Sequence, residues 1–182
     1  MTEDRDRRVT VVGLGYVGLP LALDLVEAGF EVQAVDTSAE RLASLRNGTS
    51  YIDDVADAQL ATALDSGRFT PTGTEVDWTD AGIAFVCVPT PVTRSREPDL
   101  GAVLSAGAYV RRGLRAGDAV VLQSTTYPGT TMGPFRDVLE ADGMRAGRDF
   151  GLAFSPERIS PGEGRPASVS YTHLTLPTIY SV

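Results

Sequence analysis

The 182-residue chain carries a net charge of −8, a single cysteine and a single histidine. That length suits one α/β domain but not two large ones, and an acidic chain without a basic block excludes nucleic acid as a partner. One cysteine, Cys87, excludes a disulfide framework and a cysteine-rich metal site, and no metal is expected. No apolar run is long enough to span a bilayer, and Met1-Thr2-Glu3-Asp4-Arg5-Asp6 is not a signal peptide, so a cytoplasmic protein is expected. Every basic side chain except His173 is arginine.

Residues 8–12 read as a first strand. A helix over 16–28 follows, with Leu19, Ala22, Leu23, Leu25 and Val26 on its buried side and Gly29 as its stop. Residues 32–35 form a second strand and 38–46 a second helix, ended by Asn47-Gly48. An alanine- and leucine-rich stretch over 55–66 reads as a third helix. The apolar run 83–88 has the character of a strand buried on both faces of a parallel sheet, ended by Pro89. Residues 99–114 read as helix and 119–122 as strand. A helix over 128–142 opens on a proline suited to a first turn, and 151–154 form a last short strand. Alternating strands and helices imply an α/β fold with a doubly wound, mostly parallel sheet of Rossmann type.

Gly13-Leu14-Gly15-Tyr16-Val17-Gly18 stands between the first strand and the first helix. This G-x-G-x-x-G order is a dinucleotide-binding fingerprint. Gly13 permits the tight turn, Gly15 lets backbone approach a pyrophosphate, and Gly18 lets the helix pack on the sheet. The helix then offers its free amides to phosphate. Asp36 ends the second strand about 20 residues further on, where an acid accepts hydrogen bonds from the adenosine ribose. Its charge would repel a 2′-phosphate, which favours NAD over NADP. Asp36 also reads as a solvated loop acid or as the cap of the next helix. Arg41, one turn into that helix, either covers the adenosine or is a surface arginine.

Three further loops follow strand ends, where such sheets bind ligands. They are Pro89-Thr90-Pro91 with Arg94, Arg96 and Glu97 beyond it, the run Ser124 to Thr131, and the run Ser155 to Gly162. Thr130 and Thr131 also suit helix caps, and Glu157 with Arg158 also suits a surface pair.

Four ordered motifs carry a resemblance: Gly13-Leu14-Gly15-Tyr16-Val17-Gly18-Leu19-Pro20, Cys87-Val88-Pro89-Thr90-Pro91, Ser124-Thr125-Thr126-Tyr127-Pro128-Gly129-Thr130-Thr131 and Phe154-Ser155-Pro156-Glu157-Arg158-Ile159. Over roughly residues 8–166 the chain resembles the N-terminal domain of the UDP-glucose/GDP-mannose dehydrogenase family. Tyr-Pro-Gly-Thr-Thr, Ser-Pro-Glu-Arg-Ile-x-Pro-Gly and Arg94 to Asp99 most resemble its UDP-N-acetylhexosamine branch. The resemblance implies oxidation of a sugar C6 alcohol to a carboxylate with two NAD+, through a cysteine-bound intermediate, in surface polysaccharide synthesis. It implies that Tyr16 and Val17 offer backbone amides to the pyrophosphate and that Asp36 holds the ribose. Arg41, Pro89, Thr90 and Thr131 would line the rest of the NAD site. Thr125 would position the catalytic water or the reacting groups. Glu157 would be the acid/base carboxylate or its neighbouring stabiliser, a role that burial makes possible by raising a carboxyl pKa.

The family's nucleophilic cysteine, its accompanying lysine and asparagine, the UDP-binding domain and the long helix of its homodimer or higher assembly lie downstream of the matched motifs. Cys87, inside an apolar strand, is read as a small buried residue rather than that nucleophile. Residues 1–168 are therefore expected to form the NAD-binding domain. Residues 169–182 lose all charge except at His173 and resemble one translated frame of a sequencing adapter. They are read as a non-native tail with no function for His173, against the alternative of an edge strand. Three functional readings remain open: the NAD-binding portion of a UDP-sugar dehydrogenase, inactive on its own; a non-catalytic NAD-binding module or sensor; and a shortened translation that does not fold stably.

Overall fold

The computed structural model describes residues 7–76, 78, 81–92 and 98–155. The elements follow the chain as β1 (Arg8–Val12), α1 (Gly18–Glu27), β2 (Glu31–Val35), α2 (Ala39–Arg46), α3 (Asp57–Asp65), β3 (Phe69–Thr72), β4 (Ile83–Val86), α4 (Gly101–Gly113), β5 (Ala119–Leu122), α5 (Arg136–Leu139) and β6 (Gly151–Phe154). Their strands make one six-stranded sheet in the order β3-β2-β1-β4-β5-β6. All five pairings are parallel. The chain thus winds outward in one direction from β1 and in the other from β4, and the reversal lies between these two central strands.

Period-two alternation divides the core between the two sheet faces. Val9, Val11, Val32 and Ala34 pack with Leu19, Leu23 and Val26 of α1 and with Leu60 of α3. Val12, Val35, Ala84, Val86, Val120 and Leu122 pack with α4, α5 and Trp78. Each fully buried leucine or valine contributes about 1.5–3 kcal/mol. The spacing of Leu19, Ala22, Leu23 and Val26 gives α1 its buried stripe, and Gly29 at φ +94 ends it.

Three local expectations change. β3 has no sequence signature, because Phe-Thr-Pro-Thr carries a proline. It is tolerated because β3 is an edge strand, where a missing ladder donor costs little. The Pro71 carbonyl instead accepts from Arg46 Nε and Nη2 at 3.3 and 3.0 Å, tying α2 to this edge. The helix expected over 128–142 is shorter and interrupted. Pro134 has no amide, Gly133 leaves helical geometry, and the Phe135 N–H reaches back to the Thr130 carbonyl at 3.1 Å, so 131–135 form a wide π-type turn before α5. Finally, β4 is fully buried only at alternate positions, Ala84 and Val86, while Ile83 and Phe85 are half-buried. The reason is that α4 and α5 both pack in the Val12/Ala84 cluster.

Candidate functional site at the carboxyl edge of the sheet

The glycine turn sits at the reversal point, between the ends of β1 and β4. Gly13 has φ +92, and a Cβ there would lie 2.9 Å from the Cys87 carbonyl and the Val88 amide nitrogen. A Cβ on Gly18 would overlap the Gly13 carbonyl oxygen. These two glycines let the turn fold flat against β4 and start α1 directly above it. Gly15 differs, because a Cβ there would meet nothing within 4 Å among the described residues. Its freedom matters for what approaches from outside, not for the fold. α1 has Val17 as its N-cap residue, with no side-chain cap and no acid in its first turn. Its uncapped N-terminus is a ready anion site.

Asp36, just past β2, is only 7% exposed. Its Oδ2 accepts from the Leu14 amide at 2.9 Å and its Oδ1 from the Ser38 amide at 2.8 Å. Arg41 Nη1 lies at 3.5 Å from Oδ2. The cap of α2 is Ser38, whose Oγ accepts from the Arg41 amide at 3.3 Å, so Asp36 is not that cap. A carboxylate offers about four acceptor positions, and the short bonds use two of them. Its partners Ser38 and Arg41 line a cleft of about 540 Å³ together with Gly15, Tyr16, Glu40 and Tyr51. Arg41 is therefore engaged, lying 5.4 Å over the Tyr51 ring as well as beside Asp36. Burial, reinforced by the Asp36 charge and opposed by Arg41, pushes the Tyr51 phenol up to about 12, so its hydroxyl is a firm donor. Glu40 and Tyr51 were not singled out in the sequence. Tyr51 reaches the turn across 37 positions of chain, a contact no local spacing encodes.

The loops after β4 and β5 meet. Thr90 Oγ1 donates to the Thr125 carbonyl at 2.6 Å, and Ser124 Oγ donates to the Val88 carbonyl at 2.7 Å. Thr90 is half-buried, while Pro89 and Thr125 are exposed. Thr130 is buried and donates to the Tyr127 carbonyl at 2.8 Å, which leaves its half-buried neighbour Thr131 at the start of the π-type turn. Cys87 is buried, with Sγ 3.1 Å from Gln123 Oε1. Asp36, Arg41 and the glycine turn are thus gathered on one side of the reversal point. Thr90 and Thr125 are joined on the other, beyond β4. Arg94, Arg96, Glu97, Glu157, Arg158, His173 and the tail 169–182 lie outside the described residues.

Known proteins resemble the chain over this same stretch. It is 37% identical over 160 residues to UDP-N-acetyl-D-glucosamine 6-dehydrogenase of Pseudomonas aeruginosa, covering 87% of this chain and 37% of that protein. It is 33% identical to UDP-N-acetyl-D-mannosamine dehydrogenase of Pyrococcus horikoshii, covering 85% of this chain and 37% of that protein. Among solved structures it superposes on a ternary complex of GDP-mannose dehydrogenase from Pseudomonas aeruginosa with a TM-score of 0.80 at 30% identity, covering 86% of this chain and 37% of that one. The chain therefore spans little more than a third of the length of these relatives. Within that span, the sequence profile of the family's NAD binding domain matches residues 7–167, and the chain belongs to the UDP-glucose/GDP-mannose dehydrogenase family as its NAD-binding domain.

Proposed function

We propose that this chain is the cofactor-holding part of a nucleotide-sugar 6-dehydrogenase that oxidises the C6 alcohol of a UDP-N-acetylhexosamine to a carboxylate. The observation that carries the reading is the pairing of an uncapped helix start above the glycine turn with the Asp36 carboxylate, whose partners Ser38 and Arg41 line the adjoining cleft. In this reading NAD+ supplies the hydride acceptor. The amides of Tyr16 and Val17 bind its pyrophosphate, and the open space at Gly15 admits it. Asp36 accepts from the ribose hydroxyls with the acceptor capacity left over from Leu14 and Ser38. Glu40 on the same cleft adds a second negative charge against a 2′-phosphate. Pro89, Thr90 and Thr131 line the path toward the nicotinamide. Thr125, fixed to Thr90, positions the reacting groups, and Glu157 serves as the acid/base carboxylate or its stabiliser. Residues 1–168 form the domain, and 169–182 are a non-native tail. The whole protein works in the cytoplasm as a homodimer or larger assembly.

Asp36→Asn is expected to weaken NAD+ binding by roughly 1–3 kcal/mol, the scale of a hydrogen bond to a charged group. Titration calorimetry of the variant against the parent chain measures it, and an unchanged affinity removes Asp36 from the site. The sugar reading is tested with the protein carrying the downstream half found in its relatives. UDP-N-acetylglucosamine or its mannosamine epimer should yield two NADH per sugar, whereas the 182-residue chain alone should yield none. Turnover by the short chain contradicts this assignment of the nucleophile to the downstream half.

A further inference from the structure

Leu14, the residue between the first two glycines, has both polar atoms of its main chain held by side chains. Its N–H donates to Asp36 Oδ2 at 2.9 Å, and its carbonyl accepts from the Tyr51 hydroxyl at 2.6 Å. Its own side chain is fully buried, so the turn is anchored below as well. Tyr51 comes from the loop after α2, far from β1 in sequence, and its ring carries the Arg41 guanidinium at 5.4 Å. Arg41 in turn lies 3.5 Å from Asp36. Leu14, Asp36, Arg41 and Tyr51 thus close a ring of contacts, and its Arg41 and Tyr51 side lines one cleft together with Gly15 and Tyr16.

The ring has two consequences. A turn whose central residue has both of its flanking peptide groups held presents its neighbouring amides in one orientation, so less ordering is needed when an anion binds. An arginine stacked on a tyrosine and paired with a carboxylate has a fixed plane, and a fixed plane can receive the flat face of a purine. Neither consequence follows from Asp36 alone. Asp36 and Tyr51 each touch both the glycine turn and the arginine, and Tyr51 is the one that reaches the Leu14 carbonyl and lies under the guanidinium.

We propose that Tyr51 is a positioning residue for the adenosine diphosphate half of the cofactor, setting the glycine turn through its hydroxyl and the Arg41 plane through its ring. The proposal rests on the NAD+ reading given above. The phenol, pushed up to about 12, remains a donor to Leu14 throughout the working pH range.

The test is calorimetric titration of the full chain and its variants with ADP-ribose and with AMP, alongside a thermal melt of each. Tyr51→Phe deletes only the hydroxyl and leaves the ring, so the fold should survive. Loss of one such bond, with a carbonyl left unpaired, should raise the ADP-ribose dissociation constant about three- to tenfold. Tyr51→Leu removes the platform as well and should weaken AMP and ADP-ribose further. Arg41→Ala should weaken AMP in the parent chain but add little in the Tyr51→Leu background, because Tyr51 acts on the purine through Arg41. A merely structural Tyr51 lowers the melting temperature but leaves ADP-ribose affinity unchanged in Tyr51→Phe and the Arg41 effect undiminished in Tyr51→Leu. Either of those results overturns the proposal. If the parent chain binds neither ligand, the NAD+ reading falls and this inference falls with it. Binding by the parent with no loss in Tyr51→Phe overturns the inference alone.

Discussion

Alanine at Gly18 is expected to destabilise the fold by about 2–4 kcal/mol, the upper range for overpacking a site that cannot relax cheaply. The added Cβ would overlap the Gly13 carbonyl, with Cys87 Cβ only 3.1 Å away on the other side. Relief requires α1 to lift from the sheet, and that movement displaces the amides proposed to bind the pyrophosphate. NAD+ binding should fall with stability. Gly15→Ala is the informative contrast. Among the described residues nothing within 4 Å of that Cβ opposes it, so urea unfolding should shift by less than about 1 kcal/mol. The methyl group nevertheless occupies the space proposed to admit the phosphates, so binding should be lost from a folded protein. Chemical denaturation and NAD+ titration on the two variants separate the glycine that builds the turn from the glycine that admits the ligand. Equal loss of stability in both would contradict this division.

Trp78→Ala is expected to cost about 3–5 kcal/mol, the range for emptying a buried aromatic site. Trp78 is fully buried in the crossover between β3 and β4, and its indole N–H donates to the Val110 carbonyl. That carbonyl belongs to the last turn of α4, where helical acceptors lack partners of their own. The same crossover is tied to α4 by Tyr109, whose hydroxyl donates to the Val76 carbonyl at 2.8 Å, and by Arg112 Nη2, at 2.6 Å from the Thr74 carbonyl. Gly113 leaves the necessary room, because a Cβ there would overlap the Trp78 carbonyl. Trp78 precedes β4, at the sheet end away from the glycine turn. Urea unfolding should therefore show the full loss, while NAD+ affinity of the folded fraction stays within about twofold of the parent, since distant sites act independently. A large drop in affinity at unchanged stability would contradict the placement.

The parts of the site legible in the sequence are those whose geometry is local. Gly13, Gly15 and Gly18 lie within one turn and the start of one helix, and their spacing alone specifies which must lack a side chain. Asp36 was legible because β1 and β2 run parallel and in register, so a fixed number of residues separates their ends. β3 was not legible, because a Phe-Thr-Pro-Thr strand depends on its edge position and on Arg46 rather than on its own pattern. The helix after β5 was over-read, because Pro128 signals a start while the consequence of Gly133-Pro134 depends on how the amides behind them find partners. Tyr51 carried no signal at all. Its role comes from a loop folding back over the glycine turn, and the contact exists only once β1, β2 and α2 are assembled. The partial burial of Phe85 was likewise settled by where two later helices pack, a tertiary choice that its apolar neighbours do not reveal.

Calorimetric titration of the purified chain with NAD+ and, separately, with NADP+ tests the central claim most directly. Saturable binding of NAD+ with NADP+ weaker by at least an order of magnitude is the predicted result, since in the proposed site Asp36 and Glu40 would oppose a 2′-phosphate while the uncapped helix start would accept the pyrophosphate. NADP+ binding as tightly as NAD+, or no binding of either, would contradict it.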